Sequence, residues 1–248
     1  MHDWECIGGP ILQLLDSSPS TSSLITVKGI LRSIESEYYL WRGIRRFRGE
    51  LRNGTISLEA ITEIWLGWGN HGYSCSVEAL HELATLAVIR RNGILLELGG
   101  GVSTLVLSIV SEFTKQRVVT LEHEAEWSGR LQGVLQHKTA GQFEVRYAPL
   151  VPFGNGVWYS PDRLPDLTDV TLVFVDGPPG QTPGGRNGAL EFLARQLPHS
   201  AAILLDDTNR DPERQLSLSW AELRQLDRHT YTLSRDRSFD VLMPHATS

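Results

Sequence analysis

Acidic side chains recur where short apolar runs end. Glu97 lies in Ile94-Leu95-Leu96-Glu97-Leu98, and Glu122 closes Arg117-Val118-Val119-Thr120-Leu121-Glu122. Asp176 follows Val170-Thr171-Leu172-Val173-Phe174-Val175, and Asp206 and Asp207 follow Ala201-Ala202-Ile203-Leu204-Leu205. Such short apolar runs, set off by turn-forming residues, read as strands buried on both faces of a mostly parallel sheet. Carboxylates delivered to one edge of a sheet can accept hydrogen bonds from ligand hydroxyls, take a proton from a nucleophile, or ligate a hard divalent cation. The first run passes into Gly99-Gly100-Gly101 and then into an apolar stretch from Val102 to about Phe113. A strand, glycine turn and helix in this order offers free backbone N–H groups and a helix N-terminus to a nucleotide-like ligand. Glu122 stands about 20 residues past the last of these glycines, the spacing at which an acid meets ribose hydroxyls.

The dinucleotide fingerprint Gly-x-Gly-x-x-Gly/Ala is incomplete, because Thr104 occupies its third small position; NAD-dependent oxidoreduction is therefore a minor reading. The order Glu97-Leu98-Gly99-Gly100-Gly101 instead resembles motif I of the class I S-adenosylmethionine (SAM) dependent methyltransferases, Glu/Asp-x-Gly-x-Gly-x-Gly, with Ser103 replacing the third glycine. Asp176-Gly177-Pro178-Pro179-Gly180 is similar to the fourth-strand motif of one branch of small-molecule and sugar O-methyltransferase-like proteins. The resemblance spans residues 75 to 243. It implies an α/β fold with a Rossmann-like, mostly parallel sheet of seven strands, the last antiparallel.

For the cofactor, the resemblance implies SAM held by Glu97, Gly99, Gly100, Gly101, Ser103, Thr104, Glu122, His123 and Asp176. The loop just before the core, Gly67 to Ser74, would lie over the methionine end, with Tyr73 the named contact and Asn70 or Ser74 as alternatives. Trp127 either flanks the adenine or packs. Trp158 and Tyr159 either contact substrate or anchor their loop by hydrophobic packing, Arg186 and Arg210 are expected substrate contacts, and Asp176 and Asp207 the expected catalytic acids. Two roles stay open for that pair. In catechol-type, magnesium-dependent enzymes an Asp at the fourth strand end and an Asp-Asn pair at the fifth hold the metal. Asp176 and Asp207 align with those acids, so Mg2+ is one reading. Thr208 stands where Asn is expected, with Asn209 one residue later, and Pro179 replaces the family's lysine base. The other reading makes Asp176 or Asp207 a general base.

The elements that must position these groups follow from periodicity. Leu31, Ile34, Tyr38, Trp41, Ile44, Phe47 and Leu51 recur at steps of three and four and predict one amphipathic helix over Lys28 to Leu51, ended by Asn53-Gly54. Its other face carries Arg42, Arg45, Arg46, Arg48 and Arg52, read as a solvated, ion-paired surface. Ser57 and Ser76 are N-caps for two further helices, the second running from Val77 to about Arg90. Helices are predicted over His123 to His137, Arg186 to Gln196 and Pro212 to Leu226, with strands at Phe143 to Ala148, Tyr231 to Leu233 and Phe239 to Met243. Pro149 to Asp162 reads as an irregular insertion beside the active-site mouth. Residues 1–74 are expected to form a helical lid or homodimer contact, and residues 75–248 the SAM-binding domain.

Composition narrows the partners. A net charge of −6 argues against nucleic acid and anionic membranes, and 41% hydrophobic with 21% charged residues describes a globular chain. Two cysteines cannot build a disulfide framework, so a reducing, cytoplasmic setting is expected. No signal peptide or membrane-spanning run is visible, and His71 and His81 lack metal-ligand partners. The leading function is methyl transfer from SAM to an oxygen, or less favourably a nitrogen, of a small molecule such as a sugar or secondary metabolite. Alkyl transfer from SAM, or its cyclisation with release of methylthioadenosine, is the alternative; a non-enzymatic nucleotide-binding module is the third reading.

Overall fold

The computed structural model describes residues 21–69 and 74–245, with side chains from residue 33 onward. Its centre is a seven-stranded sheet in the order β3-β2-β1-β6-β7-β9-β8. The strands are β1 (Ile94–Leu98), β2 (Arg117–Glu122), β3 (Gln142–Tyr147), β6 (Val170–Val175), β7 (Ala202–Leu205), β8 (Leu226–Ser234) and β9 (Arg237–Pro244). Pairing is parallel except for β9, which runs antiparallel to both β7 and β8. All five residues of β1 are buried, which is why it reads as a continuous apolar run. The chain winds outward from β1 through α4 (Val102–Thr114), β2 and α5 (Ala125–Lys138) to β3, then crosses to the other side of β1 at β6. The ends of β1 and β6 therefore form a topological switch point, where open α/β sheets bind ligands.

One face of the sheet is covered by α1 (Thr21–Arg52), α2 (Leu58–Trp68), α3 (Val77–Arg90), α4 and α5, whose apolar residues form a single cluster with β1, β2, β6, β7 and β9. The opposite face carries α6 (Asp211–Arg224), a short helical turn at Ala189–Leu193 and a β-hairpin. Both serine caps form: Ser57 Oγ accepts from the Ala60 N–H at 3.2 Å and Ser76 Oγ from the Ala79 N–H at 3.0 Å. On α1, Arg42 and Arg46 pair with Glu63, and Arg48 makes a two-point contact with Glu112 on α4. Arg45 lies over the Trp41 ring and Arg52 over Phe113, so part of the arginine face works through aromatic contact.

Several elements differ from expectation. The irregular insertion contains a hairpin, β4 (Leu150–Phe153) paired antiparallel with β5 (Gly156–Tyr159). Gly154, at φ 52, supplies the left-handed residue that the reversal needs. The helix expected from Arg186 to Gln196 is reduced to a π-type turn at Ala189–Leu193. There Gly188 lies against the Trp158 ring, into which a Cβ would collide, so packing against β5 sets the backbone. The strand expected at Tyr231 to Leu233 extends over all of β8, whose residues beyond Leu226 are mostly exposed. Helix α6 stops at Arg224, with Gln225 left-handed at φ 53. Helix α1 begins earlier than expected, at Thr21. Among the described residues no helix is long and apolar enough to cross a membrane.

The helical segment and the sheet share one core: Phe47, Ala60, Ile61 and Ile64 are fully buried in the cluster that contains α3 and α4. Removing residues 1–74 would bare that face. Phe47→Ala is expected to cost about 3–5 kcal/mol by urea denaturation; a loss below about 1 kcal/mol would mean that α1 is only loosely docked.

Candidate functional site

A cleft of about 540 Å³ opens where β1, β2 and β6 end, a volume typical of small-molecule sites. The two turns at the switch point meet backbone to backbone. Asp176 and Gly177 both donate their N–H groups to the Leu98 carbonyl, at 3.1 and 2.6 Å, and Gly99 donates to Leu121 O at 2.9 Å. Gly99 is left-handed, at φ +87, and a Cβ there would lie 3.0 Å from the Gly177 nitrogen. A Cβ on Gly177 would collide with the Tyr159 hydroxyl. At Gly101 a Cβ would meet nothing within 4 Å, and Gly100, Gly101 and Ser103 line the cleft.

Glu97 and Thr104 are brought to this turn but not into the cleft. Both are fully buried, and Glu97 Oε2 accepts from the Thr104 hydroxyl at 2.7 Å and the Thr120 hydroxyl at 2.6 Å. Thr104 Oγ1 in turn accepts from the Gly101 N–H at 3.0 Å. These residues brace the glycine turn from behind, which corrects the expectation that they contact cofactor directly. Burial pushes the Glu97 carboxyl up to about 7. Thr120 was missed by the sequence reading; the signal is the parallel register that places it directly opposite Glu97.

Glu122 stands at the cleft wall. Its Oε2 accepts from the Gly100 N–H at 3.1 Å and its Oε1 from the Glu124 N–H at 2.9 Å, while His123 Nδ1 lies 2.9 Å from Oε1. Burial opposes its charge, but His123 and the two backbone donors outweigh burial and hold its pKa below the usual range. His123 is raised by the same pairing and also lines the cleft. Trp127 donates its indole N–H to the Gly100 carbonyl at 2.8 Å, tying α5 to the turn while its ring forms cleft wall. The donor set suits a nucleoside: a charged carboxylate with remaining lone pairs, an aromatic wall, an open position at Gly101, and the N-terminal turn of α4 at the cleft. Tyr73, with Asn70 and His71, lies outside the described residues. Ser74 is described and lines the cleft.

The acids that follow β6 and β7 are not equivalent. Asp176 lines the cleft; burial, opposed by Arg186 and reinforced by Asp207, raises it to about 6. Asp206 is buried and turned toward Asp176 and Cys75, ligand atoms of all three lying within 4.8 Å of one another. Burial, then Asp176 and Asp207, raise Asp206 to about 8, and burial keeps the Cys75 thiol protonated. Asp207, left-handed at φ 62, points elsewhere: its Oδ2 lies 2.9 Å from Arg186 Nη2 and 2.9 Å from Arg210 Nη1. Asp206 thus approaches Asp176 directly, while Asp207 meets it through Arg186.

The expected substrate contacts also change. Arg186 is 4% exposed and spends its donors on Asp176 Oδ1 at 3.3 Å, Asp207 Oδ2 at 2.9 Å, the Asp206 carbonyl at 2.9 Å and the Pro178 carbonyl at 3.4 Å. Its guanidinium is thus turned to protein acceptors on three sides. Trp158 and Tyr159 are fully buried, packed edge-to-face on one another, because the unexpected hairpin folds them into the core. Arg210 alone of the four is exposed.

No protein-family model and no curated protein sequence matches the chain. Solved structures do. The cofactor-bound Rv0187 from MTB is 23% identical with a TM-score of 0.53, over 70% of this chain and 83% of that one. The SAH-bound methyltransferase PaMTH1 of Podospora anserina is 13% identical with a TM-score of 0.50, over 93% of this chain and 99% of its own. The fold is that of the class I methyltransferases. A Klebsiella pneumoniae protein of the O-methyltransferase class is likewise similar, 18% identical with a TM-score of 0.52, over 76% and 90% of the two chains. In the methyltransferase fold of this chain the glycine turn, Glu122 and Asp176 gather at the switch point between β1 and β6.

Because Glu97 and Asp206 hold raised pKa values in the folded chain, the fold favours their protonated forms. Their contribution is full below about pH 4, shrinks as pH climbs, and is gone above about pH 8. Urea denaturation of the apo protein is therefore expected to show lower stability at pH 8 than at pH 6, by about 1–3 kcal/mol. Glu97→Gln should reduce that slope to the share of Asp206; an unchanged slope would mean Glu97 is ionised in the fold.

Proposed function

We propose that this chain is a SAM-dependent methyltransferase that methylates an oxygen of a small molecule, with a sugar or a secondary metabolite as the substrate class. One observation carries the reading: the charged Glu122 carboxylate, pinned by Gly100 and Glu124 N–H groups beside an open glycine turn, at the switch point of a class I methyltransferase fold. Bound SAM would supply an electrophilic methyl group on a sulfonium. Glu122 accepts hydrogen bonds from the ribose hydroxyls, and Trp127 and His123 wall the nucleoside. Asp176, with its pKa near 6, is mostly ionised at neutral pH and accepts the proton from the attacking hydroxyl. Arg186 fixes the orientation of Asp176, so the nucleophile is aligned with the reacting carbon before attack.

Calorimetric titration with S-adenosylhomocysteine is expected to show micromolar binding. Glu122→Ala should weaken it by about 150-fold or more, the equivalent of losing two charge-assisted hydrogen bonds at about 1.5–3 kcal/mol each. A folded protein that does not bind would sink the reading. The homodimer expected through the N-terminal helices would use the exposed ridge of Ile34, Tyr38 and Trp41 on α1. Light scattering should then give a dimer mass for the wild type and a monomer mass for Trp41→Glu; identical masses would remove the ridge as the contact.

A further inference from the structure

The residues that would hold a divalent ion at this sheet edge do not fit one. Of the two aligned acids, Asp207 turns both to Arg186 and to Arg210, and Asp176 also faces Arg186. Thr208, at the position where a third ligand would stand, is buried with its hydroxyl engaged by Ser238 and Asp240, at 3.0 and 3.2 Å. Asn209 Oδ1 is left without a hydrogen bond, but one neutral oxygen does not hold a hard dication.

We infer that the Arg186 guanidinium is the resident cation of this site: it stands between the β6-end and β7-end carboxylates where a magnesium-dependent relative would carry its metal. A single nitrogen, Nη2, reaches Asp176 Oδ1 at 3.3 Å and Asp207 Oδ2 at 2.9 Å, so one positive centre bridges both acids. The other donors, Nη1 and Nε, hold the carbonyls of Asp206 and Pro178, locking the turns after β6 and β7 to each other. Burial alone would lower the charge of Arg186, but Asp176 and Asp207 raise its pKa above normal, so it is permanently charged. The sequence delivers it: Gly184 and Gly185, both left-handed at φ 82 and 53, reverse the chain after the Pro-Pro-Gly turn and aim the next residue back at the sheet edge. A dication beside this guanidinium would be repelled at short range and would have to displace it from Asp207. The remaining group, Asp206 with Cys75 and Asp176, includes a thiol, a poor ligand for magnesium. This inference needs only the fold and the side-chain geometry; it stands or falls apart from S-adenosylhomocysteine binding.

The test uses the full chain, with thermal unfolding followed in Mg2+, Mn2+, guanidinium or chelator, and Mn2+ binding followed by electron paramagnetic resonance. The wild type is expected to bind no Mn2+ at millimolar concentration and to keep its Tm in every condition. Arg186→Met leaves Asp176 without its cation and Asp207 with Arg210 alone; its Tm should fall, and Mn2+ or guanidinium should raise it again by about 3–5 °C at a tenfold excess over Kd. Mn2+ uptake by the wild type that Asp176→Asn abolishes would overturn the inference. So would a folded Arg186→Met protein that neither cation stabilises. Should Arg186→Met fail to fold, Arg186→Lys, which keeps a point charge, is expected to unfold below the wild type and still take up no Mn2+; Mn2+ uptake by it would count against the inference.

Discussion

The site depends on how closely two backbone turns approach. Leu98 O receives N–H groups from both Asp176 and Gly177, so the end of β6 is stitched onto the end of β1. This contact is possible only because the facing residues are glycines: a side chain at Gly99 would press on Gly177, and one at Gly177 would strike Tyr159. From that junction the remaining parts take their places. The first turn of α4 starts at the cleft, Glu122 reaches Gly100 from the adjacent strand, and Asp176 emerges on the other side. Parallel strands deliver their C-terminal ends to one edge, so groups about 80 residues apart in sequence become neighbours without any loop having to search for them.

Charge at that edge is arranged by burial and pairing together. An isolated buried carboxylate is costly, and the chain meets this in two ways. Glu97 is braced by Thr104 and Thr120, and burial raises it to about 7, so it carries much of its proton at neutral pH. Asp176 and Asp207 instead share Arg186, a buried cation whose removal would leave Asp176 uncompensated and Asp207 with Arg210 alone. The left-handed backbone of Asp207 separates two consecutive acids, sending Asp206 toward Cys75 and Asp207 toward the arginines. A carboxylic acid, a carboxylate and a guanidinium thus sit within one turn of each other, with different protonation states set by which neighbour each faces.

The N-terminal helices belong to the same cooperative structure. Helix α1 reaches the sheet's helical cover through Phe47 and through the Arg48 to Glu112 pair, and α2 contributes Ile61 and Ile64. The end of α2 and the segment leading into α3 also reach the cleft, since Trp68 and Cys75 line it. Burial of this surface couples the roof of the cleft to the stability of the core.

The sequence by itself determined the strands β1, β2, β6 and β7, both serine caps, the glycine turn, and the acids at the strand ends. These are local signals: apolar runs of fixed length, a cap one residue ahead of a periodic helix, a glycine where the chain must turn tightly. Edge strand β8 was only partly legible because most of it is exposed, and the β4–β5 hairpin because its strands are only four residues long. Only the tertiary structure decided that Trp158 and Tyr159 point inward, that Arg186 pairs with two aspartates, and that Asp206 lies directly beside Asp176 while Asp207 meets it through Arg186. Those outcomes turn on side-chain direction and burial, which follow from the register between distant strands and from single φ values such as that of Asp207. Residue type announces what a group can do; its neighbours in space decide whether it does it.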